Sequence, residues 1–236
     1  MNLNNSDLLQ VIINAFSAKT WAIIVPAIWQ TLYMVSLTTV FTLFFGLLLG
    51  VVLVITDKDG VHPVPVLNKV LGTIVNMFRS LPSMVLIILT LPLSRLILGI
   101  SYGPKACILA LVVSAVPMFG RLVESSILGV TKGKLEAAKA LGTSNSRIVL
   151  KVLIPEALPA LIRSFTISVI AIISITALAG SFGAGGIGDV AVRFGYQRFK
   201  TDILIAAVLV LIVLVQLIQL TGDLFAKHIS KKRYLI

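Results

Sequence analysis

One glycine-rich stretch has a spacing that could hold a nucleotide. Residues 183–188 satisfy the pattern G-x-G-x-x-G and are followed directly by Asp189, as in folds that bind a dinucleotide. That fingerprint needs a preceding strand within a βαβ unit, whereas this stretch follows a long apolar segment. We therefore interpret the glycines as a turn outside the apolar segment, which either borders the mouth of a pathway or only gives the loop flexibility.

A second stretch, GVTKGK at residues 129–134, resembles a phosphate-binding loop but lacks two of its requirements. Three residues separate its glycines, where the loop has four, and Leu135 stands where Ser or Thr would bind magnesium. We expect this chain not to bind ATP, so any energy from ATP must come from a partner.

The remaining reactive side chains do not form a catalytic or metal-binding set. His62 and His228 are isolated, and Cys107, the single cysteine, lies within an apolar run. Arg121 and Glu124 are three residues apart, which favours an ion pair on one helix face. We expect no catalytic residues, no metal ligands and no cofactor in this chain, which is therefore not predicted to be an enzyme.

The composition indicates an integral membrane protein. Of 236 residues, 58% are hydrophobic and only 12% are charged, which is more apolar than a soluble domain can bury. The net charge of +11 could suggest nucleic acid, but the basic residues lie between the apolar runs. Membrane topology explains that distribution, so we expect a multi-pass protein of the plasma or inner membrane, and no nucleic-acid partner.

Five stretches are long enough to cross a bilayer, which needs roughly 20 apolar residues. Residues 64–77 carry Asn68, Lys69 and Asn76, so we interpret them as an interfacial helix that leads into the second span. The fold class is thus all-α with about five spans. They are expected near residues 27–52, 81–98, 106–128, 158–178 and 203–220.

Basic residues predict the orientation. The connection after the third span holds five of them, and the tail after the fifth holds four, so both are expected in the cytoplasm and the amino terminus outside. The predicted parts are an amphipathic segment at residues 1–20, a membrane domain at 21–226 with a cytoplasmic loop at 130–156, and a basic tail at 227–236.

The loop contains a stretch, EAAKALGTSNSRIVLKVLIP, that differs from its apolar surroundings; we call residues 136–155 the EAA segment. Glu136 to Leu141 are good helix formers, with the acidic residue expected in the first turn and Gly142 at the end. A second short helix is predicted from Asn145, near a Ser144 cap, to Pro155. The small residues either let another protein approach the backbone or form a plain connection.

The EAA segment closely resembles the EAA motif of ABC importer permeases, EAA-x3-G-x9-I-x-L-P. Val152 and Ile154 stand where that pattern usually has isoleucine and leucine. The resemblance implies a type I importer permease fold in which this loop docks on a cytoplasmic ATPase. The coupling residues that it implies are Glu136, Ala137, Ala138, Gly142, Val152, Ile154 and Pro155.

Further stretches are similar to the methionine-importer branch of these permeases: residues 79–82, 181–188, 195–196 and 219–223. This resemblance implies a homodimer, two ATPase subunits that hold ATP and magnesium, an external methionine-binding protein, and methionine as the substrate. The alternatives are a permease for another amino acid, or a stand-alone secondary carrier.

Substrate-pathway residues are not identified by the sequence. Candidates are Met84 and Met118, whose thioethers suit an apolar route, and Gly183 and Gly185 in the external loop. Lipid-facing or packing roles are the alternative for the methionines.

Overall fold

A computed structural model of the chain describes residues 5–130 and 132–233 and consists of helices joined by short connections. Residues 1–4 of the predicted amphipathic segment and residues 234–236 of the predicted tail lie outside the described residues. The ten α-helices of the described part are α1 Asn5–Ala15, α2 Ala18–Thr56, α3 Pro65–Ser80, α4 Ser83–Leu98, α5 Gly103–Leu128, α6 Lys132–Ala140, α7 Asn145–Ile148, α8 Ile154–Gly180, α9 Gly186–Val190 and α10 Thr201–Arg233.

Four of the described helices, or five with one broken pair, are long and apolar enough to cross a membrane. These are α2, α5, α8 with the turns before it, and α10; the broken pair is α3 with α4. Backbone polar groups must be satisfied within the bilayer, and helices satisfy them internally. The prediction of an all-α chain with about five spans is therefore confirmed.

Most of the helices extend beyond the predicted spans, and the second span differs most. Helix α2 has 39 residues, about 58 Å at 1.5 Å per residue, so it exceeds the predicted 27–52 at both ends. Helix α4 has only 16 residues, about 24 Å, which is short of a bilayer core of about 30 Å. Helices α3 and α4 are long and apolar enough to cross a membrane only as a pair, which is bent by 106° at the break and forms a broken span or a re-entrant loop.

The described chain divides into two compact units. The first consists of residues 1–39, 83–113 and 170–217, and the second of residues 40–82, 114–169 and 218–236. The hydrophobic clusters of the first unit are built around Ile24 and Ile187, and around Met34 and Leu111. The second unit has a cluster around Val123, Ile148 and Leu153.

Within the second unit, glycines bring α2 close to α5. A Cβ placed on Gly50 would lie 2.5 Å from the Gly120 carbonyl oxygen and from Val123, and one on Gly46 would lie 2.7 Å from Phe119. Gly46 and Gly50 form a small-xxx-small pair in α2. The pair packs against α5 of the same chain, where only glycine allows this close approach.

Candidate functional site

The first half of the EAA segment forms α6, as predicted, but the helix begins earlier. It runs from Lys132 to Ala140 and has no acidic residue in its first turn. Glu136 is therefore in the second turn, and the prediction that it lies at the positive end of the helix was wrong. The helix dipole acts on charges within the first and last turns, so the dipole does not account for Glu136.

Gly142 ends α6 with a left-handed turn. Its φ is +68°; its N–H donates to the Lys139 carbonyl at 2.9 Å, and the Thr143 N–H donates to the Ala138 carbonyl at 3.2 Å. This pair of bonds defines a Schellman motif, in which glycine is favoured because a Cβ is strained at positive φ. A Cβ on Gly142 would meet nothing within 4 Å, so open space surrounds this turn.

Helix α6 has a buried face and an exposed face. Ala138 is 8% exposed and belongs to the second unit's cluster, against which Leu135 also packs. Ala137 and Ala140 are exposed, and Leu141, directly after the helix, is 84% exposed. An apolar side chain this exposed beside two alanines forms a small apolar surface, which we call the α6 surface: Ala137, Ala140 and Leu141.

The sequence did not identify Leu141 as a surface residue. It lies three residues after the buried Ala138, a spacing that predicts the same helix face. The left-handed turn at Gly142 ends the helix at that point, so helical periodicity no longer applies. The apolar residue before a helix-ending glycine was the only signal available.

Two side chains attach α6 to the rest of the second unit. The Lys139 ammonium donates to the Gly60 carbonyl oxygen at 3.1 Å, and the Lys134 ammonium pairs with Glu156 at 2.6 Å. The loop that carries Gly60 is fixed in turn, because the Asn68 amide of α3 donates to the Leu53 carbonyl of α2 at 2.7 Å. Helix α6 thus contacts both the loop after α2 and the start of α8.

The second half of the EAA segment differs from its prediction. After α7 the chain forms a π-helix, Val149–Leu153, and continues into α8 at Ile154. The second helix therefore begins at Asn145, as predicted, but the prediction that it ends at Pro155 was wrong. The Ile154 N–H donates to the Val149 carbonyl, five residues back; this wider turn lets the chain continue where Pro155 has no N–H to give.

Val152, Ile154 and Pro155 are half-buried, and the first two pack against the same cluster as Ala138. Ser144 occupies the predicted N-cap position of α7, but its side chain makes no capping hydrogen bond. The structure thus brings all seven predicted coupling residues into one unit, with Ala138, Val152 and Ile154 facing its core.

A cavity of about 530 Å³ lies beside α6 within the second unit. Its polar lining comes from Asp57, Asp59, Glu136 and Lys139, and the rest is mainly apolar. Glu136 lines this cavity. The structure thus places it beside the cavity and not in the first turn of α6, where it was predicted.

Arg121 and Glu124 form the predicted ion pair, at 2.6 Å. Arg121 also donates to the Gly72 carbonyl oxygen at 3.0 Å. Since Gly72 belongs to α3, the arginine holds α3 against α5 in addition to balancing the glutamate.

The four pathway candidates do not come together in one unit. Met84, 46% exposed, Gly183 and Gly185 belong to the first unit, and Met118 belongs to the second. The glycine turn has a packing role: Gly183 and Gly185 have φ values of +81° and +78°. The Gly186 N–H donates to the Gln30 side-chain oxygen at 2.8 Å, a long-range contact that the sequence did not reveal.

The fold defines a class: a multi-pass helical membrane protein with an exposed short helix between two of its apolar helices. Residues 42–233 match the family described as "Binding-protein-dependent transport system inner membrane component". That match covers well over half of the chain, and the chain belongs to this family. It is therefore an inner-membrane transport subunit, as the sequence predicted.

Curated relatives cover nearly the whole chain. One is the probable D-methionine transport system permease protein MetI of Vibrio cholerae, 41% identical over 89% of this chain and 93% of the relative. Another is the methionine import system permease protein MetP of Bacillus subtilis, 40% identical over 87% of this chain and 93% of the relative.

Solved structures are similar as well. A chain of the MetNI methionine ABC transporter in an inward-facing conformation matches with a TM-score of 0.88 and 34% identity, over 91% of this chain and 99% of that one. A chain of an amino acid ABC transporter crystallised with histidines matches at 0.72 with 15% identity, which concerns the fold alone. The type I importer permease fold that the sequence predicted is confirmed.

Proposed function

We propose that this chain forms the methionine pathway of an ATP-driven importer and that its EAA segment couples the pathway to a cytoplasmic ATPase. The substrate part rests on the relatives, whose names specify methionine transport. The coupling part rests on one observation, the exposed α6 surface next to a glycine turn with open space around it.

A homodimer with two ATPase subunits fits this arrangement. The chain offers one α6, whereas an ABC engine has two ATPases, so two copies related by a two-fold axis supply one docking helix to each. ATP and magnesium would be held by the ATPases and not by this chain. An external methionine-binding protein and the surrounding lipid complete the proposed partners.

We assign the coupling role to the seven residues that the motif indicated. The geometry of the segment suggests what each of them contributes. Ala137 leaves room for the ATPase, and Gly142 provides the turn beside it. Ala138, Val152 and Ile154 fasten the segment to the core of the second unit. Glu136 borders the cavity beside α6, and Pro155 lies where the π-helix leads into α8.

The proposed topology follows the basic residues. The connection at residues 130–156 and the tail at 227–236 lie in the cytoplasm, and the amphipathic segment at 1–20 precedes the membrane domain at 21–226 on the outside. Closure of the ATPase pair on ATP would move the two α6 helices together. The spans would then move as rigid bodies to open the pathway alternately outward and inward.

The proposal is tested by labelled methionine uptake in cells that lack this chain, with the unaltered protein or Gly142→Asp restored to matched membrane levels. Aspartate tolerates a left-handed conformation better than most residues, so the turn is expected to persist while bulk and charge enter the docking surface. Gly99→Asp is the matched control, because Gly99 also has positive φ, +74°, and open surroundings.

We expect the unaltered protein and Gly99→Asp to restore ATP-dependent methionine uptake, and Gly142→Asp not to restore it. This result would support both the methionine substrate and the coupling role of the EAA segment. No methionine uptake from any form would refute the substrate. Normal uptake with Gly142→Asp would show that the α6 turn is only a connection.

A further inference from the structure

Arg163 lies in a membrane-spanning helix and has no partner in the described part of the chain. It is the tenth residue of α8, about 14 Å along the axis from Ile154 at 1.5 Å per residue. Its side chain is exposed and makes no hydrogen bond or ion pair within residues 5–130 and 132–233. A charged group against hydrocarbon costs several kcal/mol, so we expect Arg163 at the cytoplasmic end of this helix, where water or a soluble or headgroup anion can reach it.

Arg163 lines a pocket of about 550 Å³ in the second unit. Among the described lining residues the one acidic residue is Glu156, whose Oε2 is bound by Lys134 at 2.6 Å. Since that pair is neutral overall, the described lining keeps one net positive charge, which belongs to Arg163.

The hydroxyl groups of the described lining residues come from three helices. Ser126 lies 2.8 Å from Ser164 and 2.7 Å from the Leu122 carbonyl oxygen, to which it donates its proton. Ser164 must then be the donor to Ser126, so neither proton is available to a ligand. Ser125 of α5 and Ser230 of α10 have no side-chain partner in the described part of the chain, which leaves two neutral donors near one guanidinium.

We propose that this pocket binds a phosphate group, with Arg163 as its charged ligand and Ser125 and Ser230 as hydroxyl donors. A guanidinium presents parallel N–H groups that match phosphate oxygens in a bidentate contact. The volume lies within the range of small-ligand sites. The phosphate comes either from the headgroup of an anionic lipid or from free phosphate. The proposal is independent of the transported substrate.

The test measures binding to the purified, intact transporter by its thermal unfolding temperature. Phosphatidylglycerol and inorganic phosphate are titrated separately, with phosphatidylcholine and chloride at equal ionic strength as controls. A saturable rise in Tm is expected with one of the two phosphate probes, and Arg163→Gln is expected to weaken its apparent affinity at least tenfold.

Lys151→Gln is the matched control, since Lys151 is an exposed, unpaired basic residue of the same unit that does not line the pocket. Its apparent affinity should stay within about twofold of the unaltered protein, because only the general charge changes. The double variant Ser125→Ala with Ser230→Ala should weaken binding at least about fivefold, because it removes two hydrogen bonds. It leaves the charge in place and provides the decisive comparison if Arg163→Gln does not fold.

Saturation by phosphatidylglycerol alone would identify the lipid headgroup, and saturation by inorganic phosphate would identify the free ion; both support the site. Absence of a saturable effect of either probe on the unaltered protein would overturn the proposal. Equal affinity in Arg163→Gln, or in the double serine variant should the former not fold, would also overturn it.

Discussion

Leu141 offers the most direct test of docking through α6. Its side chain is 84% exposed and lies beside Gly142, around which a Cβ would meet nothing. Fully burying a leucine contributes about 1.5–3 kcal/mol. Since 84% of Leu141 is exposed, covering it with an ATPase would contribute about 1.3–2.5 kcal/mol per copy to the free energy of association. Replacing it with glutamine should therefore weaken association about 10- to 70-fold.

The assay is the dissociation constant between the purified permease in nanodiscs and the ATPase subunit. Leu141→Met is the matched control, because methionine is apolar and of similar volume, and it should bind within about threefold of the unaltered protein. Since the side chain makes few contacts within the chain, neither variant should change the unfolding temperature of the isolated permease. A dissociation constant for Leu141→Gln equal to that of Leu141→Met would refute docking through this surface.

Two further changes test contacts that the structure reveals. Arg121→Met should lower the free energy of unfolding by about 1.5–3 kcal/mol, because it removes the bond to the Gly72 carbonyl along with the ion pair. Glu124→Gln should lower the free energy of unfolding by less, because it removes only the ion pair. Equal losses for the two variants in thermal unfolding would contradict this prediction. Gly188→Ala should sharply lower the yield of folded protein, because its Cβ would overlap the Ala177 carbonyl oxygen. Gly133→Ala, at a helical site with open surroundings, should leave this yield unchanged. The yield is measured as the protein recovered from size-exclusion chromatography.

The number of spans and the helix of the EAA segment could be predicted because both depend on local properties. A run of about 20 apolar residues is sufficient to predict a span. Helix propensity and the glycine signal were sufficient for α6 and its end at Gly142. The Arg121–Glu124 pair was predictable for the same reason, since residues three apart share a helix face.

The features that escaped prediction depend on distant contacts. The π-helix at Val149–Leu153 sits where Ile148, Val149 and Leu153 are all buried in the same cluster as Ala138. Helix propensity alone would end the segment at Pro155. The close approach of Gly50 to Gly120 joins residues 70 positions apart, which no local pattern specifies.

The attachments of α6 differ in strength, and this affects how a movement of α6 would be transmitted. The Lys134–Glu156 pair has side chains 47% and 31% exposed, and exposed pairs contribute only about 0–1 kcal/mol. Lys139 adds a charged hydrogen bond to the Gly60 carbonyl, typically about 1.5–3 kcal/mol where it is shielded from water and less at this exposed side chain. The burial of Ala138 and Leu135 in the cluster is not an interaction between charges, so ionic screening does not weaken it. We therefore infer that a force on α6 reaches α5 and the start of α8 mainly through that cluster, with the lysines fixing its direction.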